Sequence, residues 1–277
     1  MTAVDPSPAA PGYDDDTPRM GFFTDTSVCI GCKACEVACK EWNGIPATPF
    51  ELTGDSYDNT GGLGADVWRH VAFVEQKVPD PDHDLRWLMS SDVCKHCTTA
   101  ACLDVCPTGS LFKTEFGTVV VQEDICNGCG YCVPACPYGV LDRREGDGRV
   151  FKCTLCYDRL RDGEEPACAK ACPTDSINFG THEDMLQMAQ GRLDQVVEAG
   201  HRDAQLYGDG PSQGVDGAGS IFLLLDQPEV YGLPPDPIAA TKQIGSMWRA
   251  AFAAAGALVA GVALAALGGG RQEGGRR

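Results

Sequence analysis

The sequence predicts an α+β fold in which two interlinked modules, built around cysteine loops, are followed by a single apolar helix. Three observations predict it. All 16 Cys of the 277 residues lie between positions 29 and 172. Short apolar stretches of strand character alternate with the cysteine loops. A run without any charge, Ala250 to Leu267, lies near the C-terminal end. A chain of this length buries a sufficient core without disulfides, so the cysteines have another task. With 39 acidic and 22 basic residues, a net charge of −17 and no basic stripe, nucleic-acid binding is excluded, because phosphate backbones are held mainly by Lys and Arg.

The cysteines fall into four groups of four: Cys29, Cys32, Cys35, Cys39; Cys94, Cys97, Cys102, Cys106; Cys126, Cys129, Cys132, Cys136; and Cys153, Cys156, Cys168, Cys172. The third reads C-x2-C-x2-C-x3-C-P, closed by Pro137, which is the run that bacterial ferredoxins use for cubane iron-sulfur clusters. In the second group the gap before the third Cys widens to four residues, and in the fourth to eleven; Pro107 and Pro173 close them. The first group has Lys40 in place of the proline.

In such a run three thiolates wrap one cube, and Gly31, Gly128 and Gly130 let the backbone come close. The fourth Cys points to a second cube, held by the first three Cys of a partner group. Four groups therefore predict two reciprocal pairs and four [4Fe-4S] clusters; spacing alone leaves open which groups pair. Other uses of the thiols fit less well. Three Cys within seven residues give poor disulfide geometry. Zinc ribbons pair two C-x2-C knuckles and have no use for the third Cys and its x3-C-P. Reactive thiols explain one C-x2-C, not four quartets.

Residues 1–20 are Pro- and Asp-rich and predict a disordered acidic tail without an apolar export signal. Residues 21–180 form the double ferredoxin-like domain, interrupted by an insertion over 41–89 with strands at Trp68 to Glu75 and Leu85 to Met89. Ser110 to Lys113 and Thr118 to Val121 read as a hairpin; Val140-Leu141 and Arg149 to Phe151 repeat the theme. Residues 181–246 predict a peripheral helix opened by a capping box at Thr181 to Asp184, a buried strand at Ile221 to Leu225, and a Pro-rich connector at Leu233 to Pro237. The helix stripe Met185, Leu186, Met188, Ala189, Leu193, Val196, Val197 is expected to pack on the cluster domain.

The uncharged run Ala250 to Leu267 reaches about 27 Å as a helix, close to the hydrocarbon thickness of a bilayer. A transmembrane helix is therefore placed over 247–270, with a partner bundle receiving its small-residue face. The tail 271–277, with Arg271, Arg276 and Arg277, favours a cytoplasmic C-terminus and a cluster domain on the other side. His96 reads as a solvated loop residue, the alternative being that it tunes a cluster, and Lys33, Lys95 and Lys152 read as exposed or as offsetting cluster charge.

On these residues the chain resembles the iron-sulfur (beta) subunits of membrane-bound respiratory formate dehydrogenases of the molybdopterin family. The resemblance covers most of the chain. It is carried by Thr26-Ser27-Val28-Cys29-Ile30-Gly31-Cys32-Lys33-Ala34-Cys35, Glu41-Trp42-Asn43, Gly128-Cys129-Gly130-Tyr131-Cys132, Lys152-Cys153-Thr154-Leu155-Cys156-Tyr157-Asp158-Arg159, Glu165-Pro166-Ala167-Cys168, Asp226-Gln227-Pro228-Glu229-Val230-Tyr231-Gly232-Leu233-Pro234 and the final helix. It implies four ligand sets: Cys29, Cys32, Cys35 with Cys172; Cys94, Cys97, Cys102 with Cys136; Cys126, Cys129, Cys132 with Cys106; and Cys153, Cys156, Cys168 with Cys39.

The resemblance further implies a division of labour. A catalytic alpha subunit with a molybdenum or tungsten pterin oxidises formate, a cytochrome b gamma subunit reduces quinone, and the present chain carries electrons between them without a catalytic site of its own. Groups one and four would face the catalytic subunit, and groups two and three the cytochrome; the other alternative for His96 is a place near the cytochrome side. The cluster domain would be exported with a signal-bearing partner and held at the cell membrane by a single pass. The rival readings are the equivalent subunit of another molybdopterin reductase or membrane hydrogenase, and a zinc-binding scaffold.

Overall fold

The computed structural model of the chain describes residues 17–47, 54, 57–77, 85–210 and 214–268. Most of the expected acidic tail, the basic tail 271–277 and parts of the expected insertion lie outside the described residues. At the described end of the acidic tail, Arg19 donates to Thr98 Oγ1 at 2.9 Å, and the Met20 N–H to the Phe116 carbonyl at 2.9 Å.

The first strand, β1 (Met20–Asp25), leads into the first cysteine loop. Helix α1 (Ala34–Asn43) carries Cys35 and Cys39 one turn apart, both buried. It stops where Gly44 turns left-handed and returns its N–H to the Lys40 carbonyl. Strands β2 (Arg69–Lys77) and β3 (Leu85–Val93) pair antiparallel from Arg69↔Val93 to Lys77↔Leu85, so the insertion is a long hairpin that delivers the chain directly to Cys94.

Helix α2 (Ala101–Asp104) bears Cys102, and strands β4 (Leu111–Lys113) and β5 (Val119–Val121) form the hairpin expected between the second and third groups. Helix α3 (Cys132–Ala135) opens on a ligand-type cysteine. In the next hairpin, β6 (Asp142–Arg143) and β7 (Val150–Phe151), pairing starts at Asp142; Val140 and Leu141 are buried in the core instead. Helices α4 (Tyr157–Arg161) and α5 (Ala167–Lys170) occupy the wide gap of the fourth group and its exit.

After the last Cys the chain returns to the first strand. Strand β8 (Ile177–Thr181) pairs antiparallel with β1, and helix α6 (His182–Glu198) follows at once. Thr181 caps it as the capping box predicts, its hydroxyl accepting the Asp184 N–H at 3.2 Å. Strands β9 (Gln205–Tyr207) and β10 (Ser220–Leu224) complete a four-stranded sheet of order β8-β1-β10-β9, in which β1 and β10 run parallel.

Alternation along the two central strands separates two cores. Phe23, Ile221 and Leu223 face α6 and pack with Met185, Ala189 and Val196. Phe22, Phe222 and Leu224 face the other way, into a larger core that includes Cys35, Cys39, Cys94, Cys132, Cys153 and Cys168. The sheet thus walls the sulfur-rich interior off from the helix.

The described residues up to Ala239 form one compact unit and those from Ala240 a second. The second holds α7 (Ile244–Gly268), about 38 Å long at 1.5 Å per residue. Ala240 to Leu267 is long and apolar enough to cross a membrane, with a mean hydropathy of 2.2 over its most apolar window and every side chain from Gln243 to Leu267 exposed within the chain.

Replacing Phe23 by Ala removes the ring between sheet and helix and should cost about 3–5 kcal/mol. Met188→Ala, on the outer face of α6, should stay within about 0.5 kcal/mol. Thermal unfolding of the two purified variants separates them, and equal midpoints would contradict the sheet–helix core.

Candidate cluster-binding sites

Each of the four C-x-x-C loops makes the same backbone turn. The residue before the second Cys is left-handed in all of them: Gly31 at φ 65°, His96 at 44°, Gly128 at 70° and Leu155 at 58°. At two positions space as well as φ demands glycine. A Cβ on Gly31 would lie 2.6 Å from the Phe73 ring, and one on Gly128 2.4 Å from the Gly148 carbonyl oxygen. His96 and Leu155 hold the same conformation with side chains, which costs on the order of 1–3 kcal/mol each and persists because both are packed in the interior.

That interior position corrects the reading of His96 as solvated. It is 1% exposed, and its Nδ1 accepts the Val119 N–H at 3.0 Å, which places the ring proton on Nε2. Among the described residues no acceptor meets Nε2. Burial, with Lys152, Arg19 and Arg69 nearby, holds His96 well below the usual histidine range, so it is neutral. Lys95 and Lys152 are buried too, not exposed. Lys95 pairs with Asp92 and donates to the Val93 carbonyl at 2.9 Å; Lys152 donates to the carbonyls of Val119 and Cys153. Lys33 stays near the surface beside Glu36 and Asp58.

None of the sixteen cysteines forms a disulfide, and they gather in fours that mix distant groups. Cys29, Cys32, Cys35 and Cys172 line one cleft, together with Ser91 and Ser176. Cys106, Cys126, Cys129 and Cys132 line another. Cys39 lies among Cys153, Cys156 and Cys168, and Cys97 among Cys94, Cys102 and Cys136, close enough that their charges repel.

The donors stand around volumes, not points. Among the described residues no three Cys, His, Asp or Glu side chains close on a single metal ion. Four thiols ringing such a cleft match the four-cysteine ligand set of an iron-sulfur cube.

Burial and mutual repulsion disfavour charge on these thiols. Burial pushes Cys39 and Cys97 well above the usual thiol range, and Cys102 and Cys153 up to about 12, with Lys152 pulling both of the latter down. Burial likewise raises Cys35 to about 11, against the pull of Arg69. Bound iron would supply the positive charge that offsets the cost of burying thiolates in these positions.

Known families carry the same signature. A 4Fe-4S dicluster domain matches residues 28–110, and a second 4Fe-4S dicluster domain matches 85–182. Fold and sites therefore define an iron-sulfur protein of the double dicluster, ferredoxin-like class, whose cofactors are four [4Fe-4S] clusters and whose work is electron transfer.

The relatives narrow the class. The chain is 41% identical over 238 residues to the nitrate-inducible formate dehydrogenase iron-sulfur subunit of Escherichia coli (strain K12), covering 84% of this chain and 78% of that one. It is 42% identical over 232 residues to the formate dehydrogenase iron-sulfur subunit of Haemophilus influenzae, covering 82% and 72%. To one polypeptide of the anaerobic dimethyl sulfoxide reductase of Escherichia coli (strain K12) it is 38% identical over 186 residues, covering 65% and 82%. The chain belongs to the family of formate dehydrogenase iron-sulfur subunits.

Gly128→Ala should strain the third loop by about 1–3 kcal/mol and push it off the Gly148 carbonyl. Iron bound per chain should fall, whereas Gly139→Ala, which meets nothing within 4 Å but shares the positive φ, isolates the cost of backbone conformation alone. Iron analysis of the two variants showing the same loss would contradict a steric role for Gly128.

Proposed function

We propose that this chain carries electrons from a formate-oxidising molybdopterin or tungstopterin subunit to a membrane cytochrome b and thence to quinone, and that it has no catalytic site of its own. The ligand sets proposed are Cys29, Cys32, Cys35 and Cys172; Cys94, Cys97, Cys102 and Cys136; Cys126, Cys129, Cys132 and Cys106; and Cys153, Cys156, Cys168 and Cys39. One observation carries the reading of the ligand sets: Cys172 lines a cleft with Cys29, Cys32 and Cys35, and Cys106 one with Cys126, Cys129 and Cys132.

Bound clusters supply one-electron chemistry at potentials that net charge, exposure and hydrogen bonds to sulfur set. The chain's part is to hold them in line and dry. Cys35 and Cys168 lie near each other, as do Cys153 and Cys94, and Cys102 and Cys132, so neighbouring sets approach through one thiol pair at each step. The exposed Cys32 and Cys129 mark the two surfaces at which electrons enter and leave. The division into a cluster domain over 21–180, a following segment over 181–246 and a membrane helix over 247–270 belongs to the same reading, with the cluster domain outside and the C-terminus in the cytoplasm.

Formate as the donor rests on the relatives: the formate dehydrogenase subunits match 84% of the chain, the dimethyl sulfoxide reductase polypeptide 65%.

The native assembly, purified without oxygen, should contain about sixteen iron and sixteen acid-labile sulfide per chain, four to each cube. It should reduce both a dye and quinone with formate. Removing residues 244–277 should abolish quinone reduction and leave dye reduction intact. Cys129→Ser should remove one reducible cluster by electron paramagnetic resonance. Negligible sulfide, or a co-purifying partner without formate activity, would defeat the assignment. Protease accessibility of the cluster domain from the cytoplasmic side would reverse the proposed orientation.

A further inference from the structure

Arg69 is among the most enclosed side chains of the molecule, 1% exposed at the start of β2. A buried guanidinium demands an anion, because an uncompensated charge in the interior costs several kcal/mol. Among the described residues it forms no ion pair with a carboxylate. Its neighbours are sulfurs. Nη2 donates to Cys168 Sγ at 3.3 Å, and Nη1 donates to the Ser91 carbonyl at 3.1 Å and to Ser91 Oγ at 3.4 Å. That hydroxyl lies 3.2 Å from Cys35 Sγ. The Phe22 ring covers the guanidinium, with its centroid 4.8 Å away, and Nε has no hydrogen-bond partner among the described residues.

The two thiols reached by this fork belong to different ligand sets. Cys35 stands with Cys29, Cys32 and Cys172, and Cys168 with Cys39, Cys153 and Cys156. We propose that Arg69 is a fixed cation shared by two neighbouring clusters, touching one through Cys168 and the other through Ser91 and Cys35, and that it raises the reduction potentials of both. The inference rests on the ligand sets proposed above.

The sign follows from charge. Adding an electron makes a thiolate-bound cluster more negative, and a nearby positive group with N–H donors on the ligand sulfurs favours the more negative state. Arg69 does this without a proton, since a guanidinium stays charged at every accessible pH. Lysine could not replace it fully: an ammonium has the charge but not the planar fork that reaches Cys168 and Ser91 together.

The test is a redox titration, followed by electron paramagnetic resonance, of the anaerobically purified complex with iron and sulfide measured on every sample. In Arg69→Met, two of the four cluster signals should titrate lower, each with its reduced-to-oxidised ratio at fixed potential down about tenfold, which is about 59 mV for a one-electron couple. The other two should not move. Arg69→Lys should recover part of the shift. Ser91→Ala, which removes one hydroxyl and keeps the cation, should move a single signal, and it decides the matter should Arg69→Met lose iron. Full iron with unmoved potentials, or a uniform shift of all four signals, overturns the role of Arg69 and leaves the ligand sets standing. An unsubstituted complex short of iron and sulfide overturns both.

Discussion

The structure depends on bringing thiols from far apart in the chain to a common cleft. Cys172 must reach Cys29, and Cys39 must reach Cys153. Neither link is local, so no single group can complete a site. The rest of the fold follows from that requirement. Strand β8 leaves Cys172 and pairs at once with β1, the strand that leads to Cys29, so the backbone ladder holds the loops of these two cysteines against each other. Parallel pairing of β1 with β10 then seals this arrangement from behind, and α6 buries the far face of the sheet. The packing around the sulfurs is ordinary hydrophobic core; what is unusual is that the core encloses its own ligands.

Much of this is legible in the sequence because the signals are local. The ferredoxin run is a spacing, the two short hairpins are runs of Leu, Phe and Val broken by Gly, and the cap of α6 is a Thr three residues before an Asp. The strand expected at Ile221 to Leu225 appears as β10, shifted by one residue, because five apolar residues in a row have no solvent face to assign. The four-stranded sheet is not legible. Strand β1 mixes Gly, Phe and Thr, and β8 holds Asn and Gly; each gains strand structure from its partner across more than a hundred residues.

The site divides in the same way. The candidate iron ligands are written in the cysteine spacing, whereas what surrounds them is not. His96 reads as solvated because a polar residue in a short loop between two Cys has no apolar pattern around it. Its burial comes from a left-handed φ that mimics the glycine of the other loops and from the Val119 N–H arriving from another hairpin. The available clue is positional: His96 and Leu155 stand where Gly31 and Gly128 stand. Arg69 gives no such clue, since its contacts with Cys168 and Phe22 join segments that tertiary folding alone brings together.

These buried groups explain how a chain of net charge −17 can host still more negative charge in its interior. Like charges on the surface are separated by water and screened within about 10 Å at moderate salt, so they weigh little on the sulfurs. Charges inside are screened far less, and there Arg69, Lys95 and Lys152 sit beside cysteines. They are not equivalent. Lys95 carries its own counter-ion, Asp92, and a close pair of opposite charges projects little field beyond itself. Lys152 donates only to backbone carbonyls, and Arg69 to a hydroxyl, a carbonyl and a sulfur, so neither has a carboxylate to cancel it among the described residues. Arg69 stands between Cys35 and Cys168, and Lys152 acts on Cys102 and Cys153, so each touches thiols of two different cysteine groups. In the proposed arrangement these uncancelled charges would fall between neighbouring clusters and not beside Cys32 and Cys129, which face solvent and the dielectric that the interior lacks.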